Sequence, residues 1–302
     1  MTQTEQSRKF LDPRTISMLS DYRLLSRLIV DGFFLGHHRG PRNAFSLEYN
    51  KHRDYYPGDP LKLVDWKLYG KTDRYFVRQY EEETNLQAWL VMDISKSMAY
   101  QGEKGAVSKM QYASYLAAAL AYLLLDQRDL VGMIQFDDKP RKVILPSSRK
   151  NQLNLILKEL QGMQEGAVSQ FEEAARFAAS RIKKRGMVIL FSDLLAKPEQ
   201  IERTLKLFVC QGNDLLLFHV LTHEELRFPF RKFGFFQDLE TRERVLLHPE
   251  YLHDEYTGHI KEYLEKVKQI CSKLKVSYQM LETTAPYDKA LAAFLKLRSR
   301  LN

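Results

Sequence analysis

LQAWLVMDISKSM, residues 86–98, is the most informative part of the sequence about the fold. An apolar run that stops at Asp93 is typical of a strand buried in a parallel sheet. A second run of this kind, MVILFSD at residues 187–193, also ends in an aspartate, Asp193. The C-terminal ends of parallel strands share one edge of the sheet, so we expect Asp93 and Asp193 to lie close together there. Ligands of open α/β sheets bind beyond this edge.

Further strands and helices alternate through the rest of the chain. Besides the two runs above, strands are predicted at residues 130–138, 141–145 (a short edge strand), 214–221 and 275–283, and a hairpin within 225–249. Helices are predicted at residues 106–125, 149–161, 169–184, 197–211, 255–273 and 288–300. This alternation is typical of a mainly parallel sheet covered by helices on both faces. We therefore predict a doubly wound, Rossmann-type α/β domain over residues 85–302.

The first 84 residues have a different pattern. Asp12 and Pro13 are typical of a helix start, and apolar spacing predicts an amphipathic helix over residues 12–31. Residues 44–83 are aromatic and strand-like, with a turn-rich middle. We predict that residues 1–84 form a smaller N-terminal cap made of a helix and strands.

Composition limits the classes of function. Lys and Arg outnumber Asp and Glu by 46 to 38, but they are scattered among acids, so we expect no nucleic-acid partner. The two cysteines, Cys210 and Cys271, lie outside any metal-binding motif, and no phosphate-binding GxxxxGK[ST] motif occurs. No apolar run reaches the about 18 residues of a membrane span, and the N-terminus does not resemble a secretory signal. We expect a cytoplasmic protein.

Oxygen ligands are concentrated after the first strand. Ser95 and Ser97 follow Asp93 in the turn, so their hydroxyls would join the carboxylates of Asp93 and Asp193. Hard oxygen donors without histidine or thiolate suit Mg²⁺. Two other interpretations remain open. The aspartates could cap helices while the serines satisfy turn amides, or Asp93 could be the nucleophile of a phosphoryl transfer. Haloacid-dehalogenase-like phosphatases, however, carry an acid where this chain has Ser95.

Two motifs resemble known families. Asp93-x-Ser95-x-Ser97, with the long helix that follows and the later Phe191-Ser192-Asp193, resembles the metal-ion-dependent adhesion site of von Willebrand factor A domains. More closely, the motif GDPLKLVDW at residues 58–66, the acidic run at 81–83 and the DISKSM strand end resemble the bacterial domain-of-unknown-function family 58. This second resemblance covers roughly residues 30–300.

The resemblance implies a function as well as a von Willebrand factor A-like fold. It implies a site for Mg²⁺, or Mn²⁺, whose ligands are the four residues above and Ser169, a serine in place of the usual threonine of the second loop. It implies a non-enzymatic interaction protein whose metal takes a carboxylate from a partner. That partner would be a MoxR-type AAA+ ATPase or its client, in protein assembly, activation or metal insertion. The alternatives are a magnesium-dependent phosphohydrolase that uses Asp93 and Asp193, and a scaffold with a vestigial site.

Overall fold

The structure is a computed structural model that describes residues 12–36, 52–56, 64–78, 86–166, 171–238 and 243–299. The chain divides into two compact units, one of residues 1–38 with 86–302 and one of residues 39–85. The helices are α1 Pro13–Ser17, α2 Tyr22–Gly36, α3 Trp66–Thr72, α4 Lys109–Asp126, α5 Gln152–Gln161, α6 Phe171–Arg181, α7 Pro198–Val209, α8 His223–Arg227, α9 Pro249–Lys273 and α10 Asp288–Arg298, with a 3₁₀ helix at Lys96–Ala99. The strands are β1 His52–Asp54, β2 Phe76–Arg78, β3 Gln87–Asp93, β4 Leu130–Phe136, β5 Pro140–Ser147, β6 Met187–Ser192, β7 Asp214–Leu221, β8 Gly234–Gln237, β9 Arg244–Leu247 and β10 Ser277–Glu282.

The predicted apolar runs form the middle of a six-stranded sheet in the larger unit. Its strand order is β10-β7-β6-β3-β4-β5, and every pairing is parallel except that of β5 with β4. The predicted edge strand is thus confirmed as β5. All six residues of β6 are buried, as expected for a strand covered on both faces.

Helices cover both faces of this sheet, which confirms the doubly wound α/β fold. Successive side chains of β3 enter different hydrophobic clusters, Leu90 and Met92 one, Trp89 and Val91 the other. Helices α2, α4, α5 and α10 contribute to the first cluster, and α6, α7 and α9 to the second. Because a strand side chain points alternately to the two faces, neither face of β3 is left for polar side chains until Asp93.

The N-terminal helix packs with the sheet-containing unit. Leu25 and Ile29 of α2 are fully buried in the cluster that includes α4, and the Tyr22 hydroxyl lies 2.9 Å from the Ser114 hydroxyl of α4. The helix predicted over residues 12–31 is two helices, because Asp21 accepts hydrogen bonds from the backbone N–H of Arg23 and Leu24 and so begins a second one. The predicted cap of residues 1–84 included this helix, whereas its contacts place it with α4.

The smaller unit contains the GDPLKLVDW motif, of which the structure describes residues 64–66. Strands β1 and β2 pair antiparallel, and Asp65 caps α3 by accepting hydrogen bonds from Lys67 N at 3.0 Å and Leu68 N at 3.1 Å. The ring of Trp66 packs edge-on against that of Tyr75. Within this unit, Asp65 and Trp66 therefore have local structural roles. Residues 58–63 of the motif and the acidic run at 81–83 lie outside the described residues.

Candidate metal centre

The two predicted aspartates lie together at the C-terminal edge of the sheet. Asp93 ends β3 and Asp193 follows β6, its neighbour, in which Phe191 is paired with Met92. Only 1% of Asp93 and 4% of Asp193 is exposed. Two carboxylates are thus buried side by side, and each needs hydrogen bonds or a counter-charge to remain ionised.

The turn after β3 brings the two predicted serines to the same place. Ser95 N–H donates to Asp93 Oδ1 at 2.9 Å, which folds the turn back over the carboxylate. The hydroxyls of Ser95 and Ser97 lie 3.1 Å apart at the start of the 3₁₀ helix, and both side chains are buried. The structure therefore brings together four of the five predicted ligands, Asp93, Ser95, Ser97 and Asp193.

The fifth predicted ligand, Ser169, lies outside the described residues. The segment that leads to it does approach the site, since Gly166 N–H donates to Ile94 O at 2.7 Å. The role of Ser169 stays a prediction.

A third serine contacts the site and was not among the predicted ligands. Ser192 Oγ donates to Asp93 Oδ2 at 2.7 Å and accepts from Leu194 N–H at 3.0 Å. Both carboxylate oxygens of Asp93 are therefore held, one by an amide and one by a hydroxyl. The signal in the sequence is the serine that ends the buried run MVILFS. A polar side chain at a buried strand position needs a hydrogen-bond partner, and so indicates a polar neighbour.

A buried lysine contacts Asp193. Lys109 Nζ donates to Asp193 Oδ2 at 2.8 Å and to Glu225 Oε1 at 2.5 Å, although only 1% of its side chain is exposed. Lys109 is the first residue of α4, after the capping serine Ser108. A cation is unfavourable at a helix N-terminus, so anionic partners were to be expected for it. Lys109 and Glu225 were not among the predicted site residues.

The two aspartates differ in their proton affinity. Burial, and then the negative charge of Asp193, raise the pKa of Asp93 from 3.8 to about 7, against hydrogen bonds from Ser192 and Ser95. Burial also raises the pKa of Asp193, but the charge and hydrogen bond of Lys109 and a hydrogen bond from Ser97 outweigh it and hold that pKa below its usual value. Asp193 is therefore ionised at neutral pH, whereas Asp93 is close to its midpoint.

Aromatic and histidine side chains fix the backbone after β6. His219, fully buried, has Nε2 at 2.9 Å from Asp193 O and Nδ1 at 3.0 Å from the Tyr278 hydroxyl. Burial lowers the pKa of His219 to about 4. The ring is therefore neutral, and since a carbonyl only accepts, Nε2 carries the proton. The Tyr263 hydroxyl donates to Leu194 O and Ala196 O. These groups position Asp193 without contacting its carboxylate.

The donor set and the charge of the cluster fit a divalent cation. Asp93, Asp193 and Glu225 supply three carboxylates against the single ammonium of Lys109, so the ionised cluster carries a net charge of about −2, the value that Mg²⁺ balances. In the described part of the chain no group of three or more His, Cys, Asp or Glu residues could hold a metal. A cation here would accordingly need the hydroxyls of Ser95 and Ser97, with water, to complete its oxygen ligands.

The chain matches one protein family. The model of the DUF58 family, described as a protein of unknown function, matches residues 51–262. An uncharacterized protein of Mycobacterium bovis is 25% identical over 221 residues, which is 72% of this chain and 68% of that protein. An uncharacterized protein of Mycobacterium tuberculosis matches with the same identity and coverage.

Several solved structures are similar to this chain at a low level. BatB from Bacteroides thetaiotaomicron, a conserved hypothetical protein, has a TM-score of 0.47 at 16% identity and covers 71% of this chain and 99% of its own. An aerotolerance-related membrane protein from Bacteroides fragilis has a TM-score of 0.48 at 15% identity, with the same coverage. An uncharacterized membrane spanning protein from Vibrio fischeri has a TM-score of 0.25 at 16% identity and covers 72% of this chain and 98% of its own. Likeness at this level carries no argument about function.

The names of these structures correct the prediction of a cytoplasmic location. Two of the three proteins are named as membrane proteins. None of the helices in the described residues has the length and apolar character to cross a bilayer. That property does not assign a compartment, so the step from missing spans to the cytoplasm was wrong.

Proposed function

The chain belongs to the DUF58 family, whose function is unknown, and we propose that it is a non-enzymatic protein-interaction module built around a divalent cation. Asp93, Ser95, Ser97 and Asp193 would hold Mg²⁺ or Mn²⁺, as the resemblance to the adhesion site of von Willebrand factor A domains implies. The observation that carries the proposal is the Asp93 carboxylate. It is buried beside a second carboxylate, and its hydrogen-bond donors among the described residues are uncharged.

The chain's own residues explain why a partner carboxylate would bind. When bound, the cation supplies a Lewis acid whose exchangeable waters a carboxylate can replace. Ser95 and Ser97 bring no charge, and Lys109 offsets part of the charge of Asp193. The cluster with a bound divalent ion would therefore be close to neutral and not negative. We therefore propose a partner protein that offers an aspartate or glutamate. By family resemblance, this partner is a MoxR-type AAA+ ATPase or its client.

Lys109 is also the observation that favours the alternative. A buried ammonium that contacts Asp193 is a group that could neutralise a phosphoryl oxygen, as a magnesium-dependent phosphohydrolase using Asp93 and Asp193 would require. One feature opposes it. Ser95 stands where the second acid of haloacid-dehalogenase-like phosphatases would be.

The metal site is tested by the effect of Mg²⁺ or Mn²⁺ on thermal unfolding. A cation at ten times its dissociation constant is expected to stabilise the wild-type protein by about 1.4 kcal/mol. Asp93→Ala is expected to abolish this increment, because it removes a ligand, whereas Asp126→Ala, an exposed aspartate at the end of α4, is expected to keep it. A metal increment of equal size in all three proteins would contradict the site.

The interaction role is tested by capture of partners from native lysate on immobilised wild type and Asp93→Ala, each with magnesium or with chelator. We expect a partner that is retained only by the wild type with magnesium. A partner retained under all four conditions would contradict binding of the partner's carboxylate to the cation. Hydrolysis of a generic phosphate ester by the wild type, lost in Asp93→Ala, would instead establish the phosphohydrolase.

A further inference from the structure

A β-hairpin projects between the end of α8 and the start of α9. Strands β8 and β9 pair antiparallel with Phe235 opposite Leu246 and Phe236 opposite Val245. Because neighbouring residues of a strand point to opposite faces, Phe235 and Leu246 share one face of the hairpin. Continuing the same register, Phe233 and His248 extend that face, and their rings lie 4.2 Å apart. We name the face of Phe233, Phe235, Leu246 and His248 the outer face.

The opposite face anchors the hairpin to the larger unit. The ring of Phe236 stacks on Phe228 at 5.9 Å and meets Phe230 edge-on at 5.2 Å. Phe228 in turn stacks on Tyr256 of α9 at 4.5 Å. This aromatic cluster holds the hairpin in a fixed position, so the exposure of the outer face does not come from a loosely attached loop.

The outer face exposes large apolar side chains. The exposed fraction is 55% for Phe233, 72% for Phe235 and 49% for Leu246. Exposed apolar residues that occur singly need no explanation, but several on one face of a fixed hairpin mark an interaction surface.

Three exposed cations are close in sequence to these apolar side chains. Arg231 and Lys232 are exposed immediately before Phe233, and Arg244 lies on the outer face opposite Gln237. The same alternation places the acids at the hairpin tip, Asp238 and Glu243, on the opposite face. The first acid after His248 in the chain is Glu250, in the first turn of α9. The chain as a whole carries a net charge of +8, which attracts anionic surfaces at a distance.

We propose that the outer face binds the surface of an anionic lipid bilayer. Aromatic and leucine side chains would enter the boundary between headgroups and acyl chains, while Arg231, Lys232 and Arg244 would contact lipid phosphates and carboxylates. An anionic bilayer is complementary to both features of this surface, the exposed apolar side chains and the cations Arg231, Lys232 and Arg244. The proposal does not depend on the metal centre.

The test is co-sedimentation of the full chain with vesicles of phosphatidylcholine alone or with phosphatidylserine added. We expect binding to the anionic vesicles that falls steeply with added salt, and weak binding to the neutral ones. Phe235→Ser/Leu246→Ser and, separately, Arg231→Glu/Lys232→Glu are each expected to reduce the anionic partition coefficient about tenfold or more. Leu145→Ser, which removes another exposed apolar side chain from edge strand β5, is expected to leave it unchanged.

Other outcomes would overturn the proposal. The proposal is overturned if the wild type does not sediment with anionic vesicles, or if all variants sediment equally. In the first case the outer face would instead be assigned to a protein partner. Thermal unfolding of each variant establishes that it is folded, so loss of binding is not loss of structure. Chelator is expected to leave vesicle binding unchanged, which separates this result from failure of the metal site.

Discussion

Lys109→Met is expected to lower the free energy of unfolding by about 3–5 kcal/mol, because it leaves buried carboxylates without their ammonium. Asp193 is nearly fully buried and ionised, and its counter-charge is the Lys109 ammonium at 2.8 Å. Methionine matches the length of the lysine stem, so the variant removes the charge while little cavity is created. Urea unfolding at pH 7 with chelator present measures the difference. Lys266→Met, which breaks an exposed pair with Glu262 on α9, is expected to change stability by less than about 1 kcal/mol.

The pairing of Lys109 with Asp193 is tested by replacing the aspartate as well. Asp193→Asn in the Lys109→Met background is expected to recover part of the loss, because the uncompensated charge is then gone. The coupling free energy from this double-mutant cycle should exceed 1 kcal/mol, as about 0.5–3 kcal/mol is usual for residues in contact. Equal destabilisation by Lys109→Met and Lys266→Met would show that the buried ammonium does not hold Asp193.

The sheet and the edge that carries the site could be predicted from the sequence for a simple physical reason. A strand covered on both faces must be apolar throughout, so a polar residue at its end is conspicuous. Asp93 and Asp193 were found in this way, and the parallel arrangement then required them to meet. The edge strand, the hairpin and the alternation of helices were predictable because each depends on residues close together in the sequence.

The remainder of the site could not be found in this way, because its contacts join residues far apart in the chain. Lys109 is 84 residues from Asp193 and 116 from Glu225. In the sequence Lys109 is an ordinary lysine at a helix start, and only the packing of α4 against the sheet buries it. Ser192 belongs to the motif Phe191-Ser192-Asp193, but its hydrogen bond to Asp93 depends on the register of β3 with β6. The packing of α2 on α4 is likewise set by tertiary contacts.

Asp93→Asn is expected to stabilise the metal-free protein at pH 8, by at most about 4 kcal/mol. Burial and Asp193 raise the pKa of Asp93 from 3.8 to about 7, and raising a pKa by one corresponds to about 1.4 kcal/mol between the protonation states. The sign follows from proton linkage. Between pH 3.8 and about pH 7 the folded protein binds more protons than the unfolded chain. The contribution of Asp93 to stability is therefore fully present below pH 3.8 and is lost as the pH rises to about 7. Asparagine, which is uncharged, avoids this loss.

The measurement is urea unfolding at pH 5 and pH 8 in chelator. Asp93→Asn should gain more over the wild type at pH 8 than at pH 5, whereas Asp193→Asn should destabilise at both, because Lys109 lowers the pKa of Asp193 and would lose its partner. A gain that does not depend on pH would contradict the charge explanation. With magnesium added, the advantage of Asp93→Asn over the wild type in unfolding free energy at pH 8 should shrink or reverse, since a cation stabilises only the ionised wild-type site. A buried carboxylate that weakens the fold without a metal and strengthens it with one behaves as expected of a metal ligand, and a helix cap would show neither effect.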